Sequence, residues 1–383
     1  MSTVTIKTLT PVHVGSGRKL TKNIDFVFFS NLHNKPLAIL DEEKIYQIVT
    51  DKHFEVWVNN IENPKQELLP FLQRIKPDLK PTDIAYRITS VKGSLNERTQ
   101  VHEHIHNGLM KPYIPGSSLK GAIRTAIFAR LAIHEKAYIA KKENYFNSRQ
   151  EKYNFEDKKA QKRIFSANDI YIEQDKDVQN KDFLRFLYTG DAEFKDTQVI
   201  KVCTYNLRGQ DWEERSDLSQ WTECIPAYST AQTRIQLNMF AHKSSKMQET
   251  IKNYVGKHHN CITSKENLIE TINTHTKTVL EKENKFIQFE DDLYEYKEHI
   301  KDLLDKTNNC KPNECILRLG KHTGFTFMTG DWQKEVFDTK LYSELKLKAR
   351  PKGDRYKEYP LPKTRRFTPD GQPLGFVKLT FND

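Results

Sequence analysis

Cysteine is scarce and scattered in this 383-residue chain. Its five cysteines, Cys203, Cys224, Cys261, Cys310 and Cys315, form no C-x-x-C pair. A zinc ribbon and a disulfide framework are therefore poorly supported, which fits a reducing, cytoplasmic setting. No apolar run approaches the ~18 residues that suggest a bilayer span, and the mean hydropathy is −0.73. The first ten residues alternate in character instead of forming a basic and then apolar leader, so a signal peptide and a membrane partner are not expected. Apolar residues make up 37% of the chain, below the roughly 45–50% of an average globular protein, a figure that counts glycine. Repeats of 20–50 residues are missing. So are a nucleophile elbow, an H-E-x-x-H helix, a G-x-x-x-x-G-K-[ST] loop and a dinucleotide fingerprint in context. Nothing in the sequence asks for a cofactor or a metal ion.

What the chain does have is charge and length. Lys and Arg number 61 against 51 Asp and Glu, a net of +10, which permits an anionic partner without naming one. The length alone would allow two or three units at roughly 100–200 residues each. Residues 3–10 alternate with β-branched character and read as a strand closed by Pro11 and a Gly15-Ser16-Gly17 turn. Residues 23–30, 83–91, 101–106, 183–207, 221–237, 315–319 and 375–381 also read as strands. Helices are expected at 42–58, with Asp41 as cap, and at 64–75. The clearest helix is 117–135, where Leu119, Ile123, Ile127 and Leu131 recur every four residues. Residues 241–308 suggest two or three amphipathic helices.

Strands at both ends with helices between them point to an α+β fold whose first and last segments share a sheet. One enlarged core with insertions fits better than separate domains, because no low-complexity linker divides the chain. The expected parts are 1–135 (N-terminal core), 136–182 (basic helical or mobile insertion), 183–240 (β-rich core), 241–310 (helical insertion) and 311–383 (C-terminal core).

Four segments could carry chemistry. In 114–124, Gly116, Ser117 and Ser118 open a helix whose free amides favour an anion, and Lys120 and Arg124 lie one turn apart. The plainer alternative is an ordinary capped helix. In 317–324, Gly320, Lys321, His322 and Gly324 could form a backbone nest for phosphate, or simply a turn. Residues 344–366 hold nine basic against three acidic residues, a net of +6, including Lys352, Arg355, Arg365 and Arg366, with Tyr356 and Tyr359 between them. Such a segment can track a phosphate backbone and stack on bases, or serve only solubility. Finally, His102, His104 and His106 would share one face of a strand. A solvent-facing polar row is the plainer reading of that alternation. Metal binding or general acid–base chemistry is the alternative.

Together, T-P-V-H-V-G-S-G at 10–17, I-P-G-S-S-L-K-G-A-I-R at 114–124, L-R-L-G-K-H-T-G at 317–324 and P-L-G-F-V-K-L at 373–379 resemble the RAMP superfamily of CRISPR-associated RNA-binding proteins. The series is most similar to the fifth Csm subunit of type III-A effector complexes. The resemblance implies a ferredoxin-like or RRM-like core enlarged by helical insertions. It also implies a crRNA-binding subunit that caps the backbone filament at the crRNA 3′ end and supports 3′-end maturation. Its implied partners are crRNA, target RNA, the other Csm backbone subunits and a recruited host nuclease. Related subunits that cut target RNA carry an Asp just after the first glycine turn. Here Arg18-Lys19-Leu20 follow, and the first acid is Asp25. No target-RNA cleavage by this chain is expected. A precursor-processing endoribonuclease using a histidine, and a protein-only scaffold, are the competing readings.

Overall fold

The computed structural model describes residues 2–63, 67–96, 99–134, 164–165, 182–208, 211–237, 261, 264–329, 331–336 and 362–382. The first expected strand is β1 (Ser2–Thr8), and its alternation is what buries it. Val4 and Ile6 are fully buried while Thr3 faces outward. Next come β2 (Gly15–Thr21), β3 (Phe26–Phe28), β4 (Pro36–Leu40), α1 (Glu42–Glu62) and α2 (Leu68–Ile75). Asp41 caps α1, its carboxylate accepting from the amides of Glu43 and Lys44. Then follow β5 (Ala85–Lys92), β6 (Gln100–His104), β7 (Tyr113–Ile114) and α3 (Gly116–His134). The β-rich stretch supplies β8 (Leu187–Thr189), β9 (Ala192–Glu193), β10 (Gln198–Arg208), β11 (Asp211–Glu214), β12 (Gln220–Cys224) and β13 (Thr230–Leu237). Last are α4 (Lys265–Ile287), α5 (Tyr294–Asn308), β14 (Glu314–Arg318), α6 (Gly324–Thr329), β15 (Thr364–Phe367) and β16 (Phe376–Asn382).

The first sheet has the order β14-β16-β1-β13-β8, all antiparallel. The termini meet in it as expected, with Val4 opposite Phe381 and Ile6 opposite Leu379. Taken in chain order with the helices, β1, α3, β8, β13, α4 and β16 trace a ferredoxin-like β-α-β-β-α-β unit, with β14 added at one edge. The predicted stripe of α3, Leu119, Ile123, Ile127 and Leu131, is buried with Val4 and Ile6 of β1 and Leu268 and Ile272 of α4. The C-terminal half of α4 packs Val279, Leu280 and Ile287 against Tyr296, Ile300 and Leu303 of α5. Their periodic apolar faces are what hold these two polar helices to the sheet.

A second sheet runs β2-β6-β12-β10-β5-β4-β3, with β11 and β15 also on β10. Helices α1 and α2 cover it through Ile45, Val49, Leu68, Phe71 and Leu72. The 183–240 stretch is therefore shared: β8 and β13 join the first sheet, β10 and β12 the second. The sequence also reads 15–17 as a turn, whereas Gly15 and Gly17 begin the exposed edge strand β2, with a register shift between Gly15 and Lys19. Polar residues without apolar alternation hid that strand. Of the expected 136–182 insertion, residues 136–163 and 166–181 lie outside the described residues, as do residues 344–361. Among the described residues, no helix is long and apolar enough to cross a membrane.

Candidate nucleic-acid interface

Three of the four sequence motifs interlock at the join between the sheets. The loop after β14 turns at Gly320, whose φ of +89° suits glycine. A Cβ there would stand 2.4 Å from the carbonyl oxygen of His13, so any side chain would force the two segments apart. Close approach lets Lys321 N–H donate to that carbonyl at 2.8 Å. Gly375 N–H likewise donates to Pro11 O at 2.8 Å, and Leu319 N–H to Gly375 O at 2.9 Å. Residues 10–17, 317–324 and 373–379 thus form one backbone-stitched platform.

Cations collect on this platform. The Lys321 ammonium lies 3.2 Å from His102 Nδ1. Partial burial, then the charges of Arg366 and Lys19, push the Lys321 ammonium pKa down. Burial, then Lys321 and Lys19, push His102 down to about 4. Groups that shift one another this way sit close together in a like-charged cluster, the arrangement that attracts an anion. Among the described residues, Lys19, Lys321 and Arg366 form no ion pair with a carboxylate. Lys19 and Lys321 are exposed and Arg366 is half-buried. The crevice beneath the loop, bordered by His322 and Arg366, holds only about 20 Å³. That is room for about one water molecule, so a polyanion would lie across the outer surface.

Beneath the platform, imidazoles form a row. Ring centroids are 6.1 Å apart for His322 and His13, 5.9 Å for His13 and His104, and 6.0 Å for His104 and His106. His104 is completely buried, which corrects the expected solvent-facing row. Its Nδ1 accepts from Val14 N–H at 3.2 Å, so Nε2 carries the proton donated to Tyr113 O at 3.1 Å. Burial pushes His13 down to about 4, His104 to about 3 and His322 to about 2. These rings are neutral at neutral pH: His13 and His104 hydrogen-bond to backbone groups, whereas both nitrogens of His322 are buried without a partner.

Glu223 fastens the row. Its fully buried carboxylate accepts from Arg87, from Thr197 Oγ1 at 2.7 Å and from His104 N–H at 3.0 Å. Its backbone carbonyl accepts from His13 Nδ1 at 2.7 Å. Arg87 also pairs with Glu103 at 3.0 Å, and Ser16 Oγ donates to Glu103 at 2.9 Å. Residue pattern alone does not single out Lys19, Arg87 or Glu223, and it offers His13 only as an acid/base of the competing endoribonuclease reading, beside the histidines of 102–106. The alternation of His102, His104 and His106 was the available signal, since an internal histidine must find partners elsewhere.

The helix start at 114–124 is built differently. Gly116 packs under β8, where a Cβ would stand 2.1 Å from Thr189 O. Its amide donates to Asp191 Oδ1 at 2.7 Å, and Arg124 pairs with Asp182 at 2.6 Å. The chain supplies its own carboxylates here. Ser117 is exposed, Ser118 and Lys120 are half-buried, and burial lowers the Lys120 pKa.

The basic tail also divides. Arg365 is not a surface cation: it is buried, and its guanidinium binds Glu283 through contacts of 2.5 and 2.9 Å. Adjacent residues of a strand face opposite ways, so Arg366 points to the platform. His322 remains in the loop and is buried, whereas Gly324 opens α6 and is exposed. Lys352 and Arg355 lie outside the described residues. Asp25, the first acid after the glycine turn, accepts from Thr21 N–H at 2.8 Å and faces Arg18 at 3.6 Å. No group of three or more His, Cys, Asp or Glu among the described residues is placed to hold a metal ion.

Comparison with protein families matches residues 5–325 to the RAMP superfamily. The chain belongs to the RAMP superfamily. It is 32% identical over 141 residues to the "CRISPR system Cms protein Csm5" of Streptococcus thermophilus, a match covering 32% of this chain and 37% of that protein. The match therefore spans little more than a third of that relative's length. In fold, the chain is similar to a chain of a Csm–crRNA–target RNA ternary complex from a type III-A CRISPR–Cas system, solved by cryo-electron microscopy. There the TM-score is 0.68 at 20% identity, with 99% of this chain and 100% of the other covered. It is also similar to the crystal structure of Csm5 from T. onnurineus, with a TM-score of 0.65 at 19% identity over 97% of this chain and 99% of that one. The expected RAMP core with helical additions agrees with these matches.

Proposed function

We propose that this RAMP protein is a Csm5-like, crRNA-binding subunit of a type III-A effector complex. In that reading it caps the backbone filament at the crRNA 3′ end and supports 3′-end maturation, with target RNA and other Csm subunits as partners. The observation that carries the reading is the Lys19, His102, Lys321 and Arg366 cluster on a platform of three RAMP motifs. Backbone stitching fixes these cations before any strand arrives, which reduces the ordering cost of binding. Contacts to phosphates leave base edges free to pair. Ser117, Ser118 and Lys120 offer a smaller second contact, and Lys352 and Arg355 extend the basic tract.

The subunit itself is read as non-catalytic. His104, the most buried ring of the 102–106 row, has both nitrogens committed to backbone groups. Asp25 is likewise committed to Thr21 and Arg18. Incubating the full chain with precursor RNA in EDTA checks this, and specific cleavage would overturn it. RNA binding is checked by titrating crRNA at rising salt. A steep fall of log affinity with log salt is expected, since each neutralised phosphate releases counterions. A flat response would instead support a protein-only scaffold.

A further inference from the structure

On the far side of the imidazole row from the glycine-rich loop lies a cleft of about 510 Å³. It falls within the roughly 300–1,000 Å³ of small-ligand sites. Ile88, Met110 and Pro112 give it apolar walls, and Asn34 and Lys195 add polar groups. His106 also lines it. The His106 side chain is only 6% exposed. Its Nδ1 lies 2.8 Å from His104 O, and a carbonyl can only accept, so Nδ1 carries the proton. Burial lowers the His106 pKa, keeping the ring neutral and leaving Nε2 as a bare lone pair. That nitrogen is buried without a hydrogen-bond partner, and it faces Glu223 Oε1 at 3.8 Å. Glu223 Oε1 is already occupied by Arg87 and Thr197 Oγ1, so the bare Nε2 is the acceptor that still asks for a donor.

We propose that this cleft receives one unstacked nucleobase of the bound RNA, and that it selects a base carrying an exocyclic amino group, such as cytosine, over uracil. The amino group would donate to His106 Nε2. Met110 and the ring of Pro112 would meet the flat faces, and Lys195 would sit near the attached phosphate. Single-stranded RNA is commonly read by splaying bases out in this way. The row of three ring-to-ring steps of about 6 Å separates the cleft from the cationic loop. A strand advancing about 3.4 Å per stacked nucleotide, and more when unstacked, bridges that distance in a few residues. The proposal rests on the RNA-binding reading and adds a specificity to it.

The test compares binding of 12-nucleotide oligo(C) and oligo(U) to the full chain. These differ at the base mainly by an amino group in place of a carbonyl, without the strong stacking of purines. About tenfold tighter binding of oligo(C) is expected. Ile88, itself 41% exposed, can be enlarged without entering the core. Ile88→Trp should fill the cleft and bring oligo(C) down to the oligo(U) level. His106→Asn keeps a donor at the Nδ1 position and removes Nε2, and it should also abolish the preference. Equal affinities in the unaltered protein, or a preference that survives both variants, would overturn the inference while leaving RNA binding intact. If neither oligomer's affinity responds to salt or to Lys321→Ala, the RNA-binding reading fails, and this inference with it.

Discussion

The two glycine segments of this chain look alike as sequences and are opposites as sites. At 114–124 a helix start and two cations suggest a phosphate cradle, yet Asp191 takes the Gly116 amide and Asp182 takes Arg124. At 317–324 the loop gathers Lys321, Lys19, His102 and Arg366, and no carboxylate ion-pairs with its three strong cations among the described residues. A helix N-terminus or a basic pair is thus an anion site only when the fold has not already provided the anion. Motif and charge show where such a site could form. Pairing within the chain decides whether it remains open.

The largest expected effect concerns pH, because most of the imidazoles held neutral by burial belong to the loop side, with His275 of α4, lowered to about 4, outside it. His13, His104 and His322 have folded pKa values of about 4, 3 and 2, against 6.5 unfolded. Between those limits the unfolded state binds more protons, so stability falls as pH drops below about 6.5. Each ring that stays neutral costs about 1.4 kcal/mol per pH unit well inside that window. Urea unfolding at pH 7 and pH 5 should show a loss of several kcal/mol. Equal midpoints would mean that these rings are not held neutral.

Next in size is the contrast between neighbouring arginines. Arg365→Ala leaves Glu283 as a buried unpaired charge and should cost about 3–5 kcal/mol. Arg366→Ala should leave thermal unfolding almost unchanged and weaken RNA binding. Comparable stability losses in both would dissolve the division between core and surface. Gly116→Ala should destabilise by about 1–3 kcal/mol, since its Cβ meets the backbone of β8. A neutral result in thermal unfolding would show that the helix start can shift. The smallest effect is Asp191→Asn, which keeps an acceptor for the Gly116 amide but removes its charge, at about 1 kcal/mol. If that change instead strengthened RNA binding tenfold, the helix start would count as a masked site.

Much of the fold was legible because it depends on periodicity. The alternation of residues 3–10 and 375–381 predicted two strands and their shared sheet. The four-residue spacing of Leu119 to Leu131 predicted the face of α3 that is buried. Strand β2 was not legible, since an exposed edge needs no apolar alternation. Neither was the split of 183–240 between two sheets, which depends on long-range pairing. At the site, the glycine-rich loop and Arg366 were found from charge and composition. The burial of Arg365 was not, because its partner Glu283 is 82 positions away. Lys19 and His102 join Lys321 only through the contacts between β2, β6 and the loop.

The central claim is that the open cations of the loop, and not the satisfied helix start, hold the RNA. Its most direct test is the salt dependence of crRNA binding by two variants of the full chain, Lys19→Ala/Lys321→Ala and Lys120→Ala. The account predicts that the loop variant loses more than tenfold in affinity and flattens the log–log slope by roughly 0.7 for each cation removed. Lys120→Ala should change both only slightly. An unaltered slope in the loop variant, or an equal loss in Lys120→Ala, would contradict it.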